Sequence, residues 1–554
     1  MLAVDKTYFD REEAAVRTSP FGIFVNQAGY KPQDKKTAVM PFPCDRFDVV
    51  NEKGEVVFSG NTRHFGVDAQ SGDDVYTADF SALDTDGIYR INADGKTSAI
   101  FEIGADVNQP VLKSITKALY FLRCGTELCE KHAGDYRHAE CHTAEAVLWD
   151  DNSVSLDVKG GWHDAGDYGR YVTAGVCALS HILNAYLMFP QLEKLVLDIP
   201  ESGNGVPDIL NECRVELEWI LKMQRSDGGV YHKATTKLHA PFIMPEDDKA
   251  QMYVFPVSSM AVADTAAICA LAARIYSFDK EFSERLTKAA FLSYDWLEKN
   301  PEFIGFRNPE GCNTGPYGER DDISNRFWAA IEMYALTGYE KYHDDMKRYL
   351  REGVYLTALG YGDVGGFGVL SYLRCENRDK QIAAEFEDAF ISRAEELAKI
   401  SDNCGYGASM VENDYHWGSN MELLKYGMTF AIADYITGSK KYIGYAKKQA
   451  DYLLGVNAMG ISYVTGTGEY RCNYPHLRPA HADGIEESIP GMVSGGPNRF
   501  PGDPDAKILI PEGTLPMKCF ADDVGCYSLN EITIYWNSPA VFLFGYFVVF
   551  IYPG

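Results

Sequence analysis

Residues 207–224 read PDILNECRVELEWILKMQ, and the spacing of their apolar side chains decides how most of this chain folds. The apolar positions recur in steps of three and four residues, which places them on one face of a helix. Asp208 follows Pro207 in the expected first turn, where an acidic side chain is favourable. We therefore predict an amphipathic helix with one buried face. That face consists of Ile209, Leu210, Cys213, Leu217, Ile220, Leu221 and Gln224.

The chain continues the helical pattern over residues 106–554, where we predict one large all-α domain. Residues 258–276, SSMAVADTAAICALAARIY, are apolar almost all round, as expected for an inner helix packed on several sides. Two long segments rich in Gly and Pro, 301–325 and 456–520, interrupt the helices, and loops of this length usually have a function. Further helices are predicted at 284–299, 326–337, 381–399, 421–436 and 440–454.

The region before the helices, residues 21–105, has the pattern of an all-β domain. Short β-branched and aromatic runs alternate with turn residues, as in FDVVNEKGEVVFSG at residues 47–60. Residues 51–54 and 92–95 are predicted hairpin turns. We expect a β-sandwich here, preceded by a tail at residues 1–20.

Charge and composition exclude several classes of partner. The net charge of −27 would repel a phosphate backbone, so we expect neither nucleic acid nor an anionic membrane as a partner. The thirteen cysteines lack the dense spacing of a disulfide scaffold, which favours reduced thiols and a metal site. The first twenty residues lack the apolar segment of a secretory signal. We expect a cytoplasmic or cell-associated protein, or a secreted one if the start was trimmed.

The first candidate site is GGWHDAGDYGRYV, residues 160–172. Asp164 and Asp167 are three residues apart among small residues, so both carboxylates can point into one space from a tight turn. One carboxylate could then activate a water molecule that the other helps to hold. A solvated turn stabilised by aspartate side chains is the alternative.

The second candidate is FADDVGCYSLNEITIYWNS, residues 520–538. Glu531 is preceded by Tyr527 and followed by β-branched and aromatic residues, which would desolvate its carboxyl group and raise its pKa, as a general acid requires. A residue at a helix start is the alternative. Together, an Asp pair and a distant Glu match the two-carboxylate arrangement of glycosidases.

A third motif lies in SYVTGTGEYRCNYPHLRPAH, residues 462–481. His476 and Arg478 are two residues apart in a loop bounded by prolines, so both could donate hydrogen bonds to sugar hydroxyl groups in one cleft. Their alternative is an ordinary surface position.

The fourth candidate is a set of cysteine and histidine residues before the DAGD motif. Two thiolates and two imidazoles suit tetrahedral zinc, although the spacing differs from that of a zinc finger. Dispersed buried cysteines are the alternative. The set consists of Cys124, Cys141, His142 and His163.

These motifs together resemble those of family 9 glycoside hydrolases. The family pattern FxDxxxxYxxxExTxxxNS is satisfied in full, and DAGD and PHxR occur in the family's order. The resemblance runs from FVNQAGY at 24–30 to WNSP at 536–539, and it implies an immunoglobulin-like domain followed by an (α/α)6 barrel. The pattern is carried by Phe520, Asp522, Tyr527, Glu531, Thr533, Asn537 and Ser538.

The resemblance also implies roles for the candidate residues. Asp167 matches the family's general base, Asp164 the partner that holds the water, and Glu531 the general acid of an inverting reaction. His476, Arg478 and Tyr527 match residues around the sugar at the cleavage point, and we place Trp417 among the substrate-binding residues. The four cysteine and histidine residues match a structural zinc site.

Two positions depart from the family's pattern. Tyr470 stands two residues after the second Gly of VTGxG, where the family usually has Asn, Lys or Arg, so the family's substrate contacts near this position are not carried over to this chain. Many members bind calcium through an Asp-Glu pair just before the WAA helix, but this chain has Asn325 and Arg326 in SNRFWAA. We therefore do not expect calcium at this pair.

The predicted function is inverting hydrolysis of β-1,4-glucosidic bonds in cellulose-derived oligosaccharides or soluble glucans. A cellodextrinase is favoured, with an endoglucanase acting on polymer close behind. An exo-β-glucosaminidase of the same family is the alternative, and a non-catalytic carbohydrate-binding protein is the alternative from another class. The sequence makes no prediction of oligomeric state.

Overall fold

A computed structural model describes residues 19–549 of the chain. Residues 1–18, most of the predicted tail at 1–20, and residues 550–554 lie outside the described part. The chain forms two compact units. The first unit comprises Met1–Ala118, Phe189–Leu197 and Arg393–Gly554, and the second comprises Leu119–Met188 and Asp198–Ser392. The boundary predicted at residues 105 and 106 stays a prediction.

The N-terminal part of the first unit is a sandwich of two antiparallel sheets. One sheet has the strand order β1-β5-β4, and the other has the order β3-β2-β6-β7, with β8 also paired to β6. The strands are β1 Thr37–Met40, β2 Arg46–Asn51, β3 Val56–Asn61, β4 Arg63–Val67, β5 Asp74–Asp79, β6 Gly87–Ala93, β7 Lys96–Thr97 and β8 Phe101–Ile103.

The sandwich core is built from alternate residues of both sheets. Met40 and Ala78 come from one sheet, and Phe47, Val49 and Ile91 from the other, and all five are buried in one cluster. Burying a side chain such as Val, Ile, Phe or Met stabilises the fold by about 1.5–3 kcal/mol. Because apolar side chains alternate with polar ones along each strand, this gain fixes which face of each sheet points into the core. The β-sandwich prediction is confirmed.

Both predicted hairpin turns are present. Asn51 accepts a hydrogen bond from the backbone of Gly54 at 2.9 Å between β2 and β3. Asp94 and Gly95 join β6 to β7 with φ values of 47° and 73°, the positive pair that matches the twist of a two-residue hairpin.

The second unit is mainly helical. The amphipathic helix predicted from residues 207–224 is confirmed as Asp208–Met223, named α4. Its predicted face is buried except at Leu221, which is half-buried because the buried face continues through Trp219 and Met223 instead, and at Gln224, which is half-buried and lies beyond the helix end. The inner helix is confirmed as Ser259–Ile275, named α5, in which all residues from Ser259 to Ala273 are buried. The helices are α2 Glu130–Ala133, α3 Val172–Met188, α4 Asp208–Met223, α5 Ser259–Ile275, α6 Lys280–Lys299, α7 Ile323–Thr337, α8 Glu340–Glu352 and α9 Gly365–Leu373.

The second unit also contains a small sheet that the sequence did not predict. Its order is β10-β9-β13-β12-β11, and its strands have two or three residues each, too few to show an alternating pattern. The strands are β9 Ala146–Leu148, β10 Ser155–Leu156, β11 Arg170–Tyr171, β12 Lys233–Thr235 and β13 Tyr253–Val254.

The remaining helices belong to the first unit, apart from α10, which contains the division between Ser392 and Arg393. The predicted helices at 381–399, 421–436 and 440–454 correspond to α10, α11 and α12. Among the described residues, no helix is long and apolar enough to span a membrane. These helices are α1 Asn108–Lys117, α10 Lys380–Asp402, α11 Ser419–Thr437, α12 Ile443–Leu453, α13 Arg478–Ala482, α14 Pro504–Leu509, α15 Tyr527–Asn530 and α16 Ile534–Val549.

Hydrogen bonds within the first unit join its sandwich to its helical segments. Asn26 donates to Asp451 of α12 at 2.8 Å, and Asp68 accepts from the backbone of Gly405 at 2.8 Å. The side-chain oxygen of Gln27 accepts from the backbone of Tyr470 at 2.7 Å. The sandwich thereby holds one end of the loop that carries His476.

Candidate functional site

The DAGD turn lies in the second unit, between two stretches of extended backbone. The backbone N–H of Asp164 donates to the carbonyl of Gly169 at 2.9 Å, and β11 follows directly. Gly161 has a φ of 77°, and a Cβ atom there would lie 2.8 Å from the Trp219 ring, so this position requires glycine. The buried guanidinium of Arg170 donates to the carbonyl of Gly160 at 2.9 Å, which joins the residues after the turn to those before it.

Asp164 is fully enclosed. Its side chain is 1% exposed, and its Oδ2 accepts a hydrogen bond from the Tyr317 hydroxyl at 2.5 Å. Its Oδ1 is buried and has no hydrogen-bond partner among the described residues. Burial raises the pKa of Asp164 well above its ordinary value; the Tyr317 hydrogen bond opposes this rise, and the charge of Asp167 adds to it.

Asp167 faces a histidine that the sequence analysis did not single out. Its Oδ2 lies 3.0 Å from Nδ1 of His239, whose side chain is 39% exposed. Neither His239 nor Tyr317 belongs to a recognisable motif. Tyr317 does have a φ of 44°, which is uncommon for a residue other than glycine and often marks a functional position.

Glu531 lies in the first unit, in a short extended segment between α15 and α16. Its carbonyl accepts from the backbone of Gly495 at 2.8 Å, and the segment is bridged in parallel to His476. Glu531 is half-buried. Backbone pairing on both sides therefore fixes where its side chain begins.

Three of the four predicted sugar-binding residues lie together in the first unit. The Tyr527 ring lies 5.5 Å from the ring of His476 and 5.4 Å from that of Trp417, measured between centroids. His476 Nδ1 donates to the carbonyl of Val524 at 2.6 Å, which fixes the imidazole orientation. The Trp417 ring is 45% exposed, so its face is open to a ligand. Arg478 begins α13 and is buried.

Two other residues of the C-terminal pattern hold neighbouring loops in place. Asp522 is buried and accepts hydrogen bonds from the backbone of Asn473 at 2.8 Å and Tyr474 at 3.1 Å. The Asn537 side chain accepts from the backbone of Val493 at 2.8 Å. These contacts place the His476 loop beside Glu531 within the same unit.

The four cysteine and histidine residues of the second unit converge on one point. Their ligand atoms all lie within 4.8 Å of one another. Chain pairing explains the convergence, because the Cys124 N–H donates to Gly161 at 2.8 Å and the His163 N–H donates to Leu122 at 2.7 Å. Among the described residues, no two of the thirteen cysteines form a disulfide.

The donor set of this group fits a metal ion. His142 Nδ1 is buried and has no hydrogen-bond partner among the described residues, while Nε2 of the same ring lies 3.3 Å from Asp248 Oδ2. A carboxylate on the far nitrogen is the usual partner of a metal-bound imidazole. The group can therefore hold a metal.

The departure at Asn325 and Arg326 has a clear structural basis. Asn325 is buried and donates to Asp264 at 2.8 Å, whereas Arg326 donates to the Asp322 carboxylate at 2.8 Å and to the Asn300 carbonyl at 3.0 Å. A fixed guanidinium thus already neutralises Asp322. The expectation that this pair binds no calcium stays a prediction.

Comparison with known families gives two matches that together cover almost the whole chain. Residues 109–544 match the model of glycosyl hydrolase family 9, and residues 19–98 match the cellulase N-terminal ig-like domain.

Similar proteins extend over the same length. A cellodextrinase of Butyrivibrio fibrisolvens is 46% identical over 539 residues, covering 94% of this chain and 98% of the relative. Endoglucanase D of Acetivibrio thermocellus is 34% identical, covering 95% of this chain and 83% of the relative.

Solved structures show the same likeness. A single mutant of a thermostable endoglucanase from Alicyclobacillus acidocaldarius has a TM-score of 0.90 at 33% identity, covering 96% of this chain and 100% of the other. A Zn-binding triple mutant of a family 9 endoglucanase has a TM-score of 0.88 at 34% identity, covering 94% and 99% of the two chains.

Proposed function

The chain belongs to glycosyl hydrolase family 9, and from this premise we propose that it is a cellodextrinase that cleaves soluble β-1,4-linked glucose oligosaccharides by inversion. It is a glycoside hydrolase with β-1,4-glucanase activity, and its substrate is a β-glucan or cello-oligosaccharide. The preference for short chains is carried by one observation, the 46% identity to a cellodextrinase over 98% of that relative.

The architecture we propose is an (α/α)6 barrel at residues 106–554, after an immunoglobulin-like domain at residues 21–105 and a tail at residues 1–20. The chain has an N-terminal immunoglobulin-like domain with β-sheets and then a helical catalytic domain. The near-complete overlap with endoglucanase structures supports the barrel.

In the proposed reaction, Glu531 protonates the glycosidic oxygen while Asp167 removes a proton from a water molecule on the opposite ring face. One displacement then inverts the anomeric configuration, and such a reaction needs roughly 6.5–9.5 Å between the two carboxyl groups to accommodate the water. Asp164 would hold the same water. The buried, unpartnered Oδ1 of Asp164 supports that role, because it is an acceptor with no other use among the described residues.

The substrate-binding residues in this proposal are His476, Arg478, Tyr527 and Trp417. The clustering of the His476, Tyr527 and Trp417 rings supports their assignment to one sugar-binding surface. An exposed indole face and fixed imidazole and phenol groups suit a sugar, which has apolar ring faces and hydroxyl edges.

The metal we propose is structural zinc. Cys124, Cys141, His142 and His163 would hold it, and they supply all four ligands of a tetrahedral site. Bound zinc would add rigidity to the turn carrying Asp164, which directly follows His163. Since no position stays open for water or substrate, we assign the metal no step in hydrolysis.

Two measurements test the function. Proton NMR of the first product from cellohexaose should show the α-anomer, and an initial β-anomer would contradict inversion. A product profile on cellohexaose, carboxymethylcellulose and chitosan oligomers should show fastest turnover on cellohexaose. Faster loss of carboxymethylcellulose viscosity would indicate an endoglucanase, and release of glucosamine would indicate the glucosaminidase activity.

A further inference from the structure

The Asp164 contact depends on a segment without regular structure. Residues 306–318, here called the Tyr317 loop, contain neither helix nor strand, yet they deliver the Tyr317 hydroxyl to Asp164. The loop rests against β12, the strand Lys233–Thr235. What holds the loop to β12 therefore decides where the tyrosine stands.

Lys233 makes most of the polar contacts between β12 and the loop. Its Nζ lies 2.7 Å from Asn308 Oδ1, 2.9 Å from Thr314 Oγ1 and 2.8 Å from the Gly315 carbonyl. An ammonium group has three N–H donors, so these three oxygen atoms match its full capacity. All three acceptors belong to the Tyr317 loop.

The ammonium is buried and makes no direct ion pair. Lys233 is 0% exposed, and none of the ion pairs among the described residues includes it. The Cys312 sulfur, 3.7 Å from Nζ, and the charge of Asp167, which acts from beyond ion-pair distance, favour the charged form. The rings of Tyr171, Phe255 and Phe306 surround it, with Nζ between 4.6 and 5.5 Å from their centroids. Burial lowers the pKa of Lys233 to about 8. A charge kept in such a place is costly unless its hydrogen bonds are all satisfied.

The neighbouring residue adds a second attachment. His232 lies 2.8 Å through Nε2 from the Pro316 carbonyl, and its ring stacks on Phe306 at 4.0 Å. Burial lowers the pKa of His232 to about 3, so the ring is neutral and donates from Nε2. Consecutive residues of the chain, His232 and Lys233, thus fix Thr314, Gly315 and Pro316, the three residues before Tyr317.

We propose that Lys233 is a positioning residue for hydrolysis, whose ammonium group holds the Tyr317 loop so that the tyrosine hydroxyl stays on Asp164. The inference rests on the role proposed for Asp164. It assigns Lys233 no contact with substrate. Without the ammonium, the Gly315 carbonyl would lose its hydrogen bond to β12, and Thr314 would keep only the contact of its hydroxyl with that of Thr235 at 2.8 Å. With fewer attachments to β12, Tyr317 would leave the uncommon backbone conformation that aims it at the carboxylate.

A double-mutant cycle tests this inference, using Lys233→Met, Tyr317→Phe and the double variant with cellohexaose as substrate. Because small displacements of catalytic groups reduce turnover strongly, we expect Lys233→Met to lower kcat about tenfold, with KM changed by less than about twofold. In the Tyr317→Phe background the same change should lower kcat by less than about twofold, since the contact it supports is already absent.

Lys36→Met is the matched control. Lys36 is also 0% exposed, and its Nζ bonds the backbone carbonyls of Pro32 at 2.6 Å and Asp34 at 3.0 Å in the sandwich. It should lower thermal stability while kcat of the folded enzyme stays unchanged. A purely structural role for Lys233 would give the same behaviour as Lys36.

Full kcat in Lys233→Met, or losses that multiply in the double variant, would overturn the inference. If Lys233→Met does not fold, Thr314→Val carries the same cycle, with a smaller kcat loss expected that disappears in Tyr317→Phe. Full kcat in Tyr317→Phe would also overturn it. That result would leave the roles of Asp167 and Glu531 standing, since variants of those two residues test them separately.

Discussion

The Asp164–Asp167 turn and the Glu531 segment carry complementary carboxyl groups but are built differently. Asp164 and Asp167 are both at most 6% exposed, and side chains from distant segments, Tyr317 and His239, contact their oxygen atoms. Glu531 is half-buried and is fixed through its backbone, with the His476 loop paired beside it.

This difference corresponds to the tasks proposed for the two regions. A base that must align a small water molecule needs its oxygen atoms held tightly, and hydrogen bonds to those atoms provide this. An acid that must reach a glycosidic oxygen needs its carboxyl group open to the sugar. We therefore expect substitutions of charged or hydrogen-bonding side chains to reduce activity mainly through the Asp164–Asp167 turn. Substitutions of aromatic side chains should act mainly on sugar binding around Glu531.

The largest expected effect is the removal of either carboxyl group. Asp167→Ala and Glu531→Gln should each lower kcat on cellohexaose by about 10³-fold or more, because each removes one partner of general acid–base catalysis. Circular dichroism and thermal unfolding should match the parent protein. Near-normal turnover in either variant would disprove the role assigned to that residue.

The second-largest expected effect is on metal binding, which involves the Asp164–Asp167 turn and not the Glu531 segment. Protein purified without added metal should contain about one equivalent of zinc by elemental analysis, because the site supplies four ligands, and none would dismiss the site. Asp248→Asn removes the carboxylate beside His142 and should weaken zinc binding by roughly 10–100-fold, measured by competition with a chromogenic chelator. Asp247→Asn, at the exposed neighbouring position, is the control and should bind zinc normally.

Tyr317→Phe should give an intermediate effect, confined to the Asp164 side. We expect kcat to fall about tenfold, in the range of a lost hydrogen bond to a charged group. The Tyr317 hydrogen bond lowers the pKa of Asp164, so its loss raises that pKa further. The acidic limb of the kcat profile should therefore move to higher pH. A limb that stays in place or moves to lower pH would contradict the assignment.

Trp417→Ala should give the smallest effect. Loss of one stacking surface of about 1 kcal/mol should raise KM for cellohexaose about fivefold with little change in kcat. Tyr355→Ala is the control, because Tyr355 is 79% exposed. An unchanged KM in Trp417→Ala would remove Trp417 from the proposed sugar surface.

The sequence predicted those features that local pattern determines. The period of apolar residues located α4 and α5, and turn residues located the two hairpins of the sandwich. It missed α9, whose segment GGFGVLSYL begins with two glycines, which are poor helix formers. The strands β9 to β13 were missed because each has only two or three residues, too few for an alternating pattern, and they form only by pairing with segments distant in the sequence.

The site residues also divide into those that belong to a local sequence motif and those that only the folded structure brings together. Asp164, Asp167 and Glu531 belong to motifs, and the cysteine and histidine set was found from ligand chemistry before the structure placed its atoms within 4.8 Å. Tyr317 and His239 are 153 and 72 residues from their aspartate partners. Contacts at such separations leave no mark in a single sequence. Lys233 was missed because a buried lysine in a β-strand has no signature of its own.

The metal group has a consequence for the thermodynamics of the chain. Its ligands run from Cys124 to His163, so a bound ion would close a loop of the polypeptide as a covalent crosslink does. No disulfide does this among the described residues. Unlike the stabilisation from a disulfide, the stabilisation from this crosslink would depend on the concentration of free metal. Above saturation, each tenfold rise in free metal would increase the free energy of unfolding by about 1.4 kcal/mol, so folding would respond to metal supply.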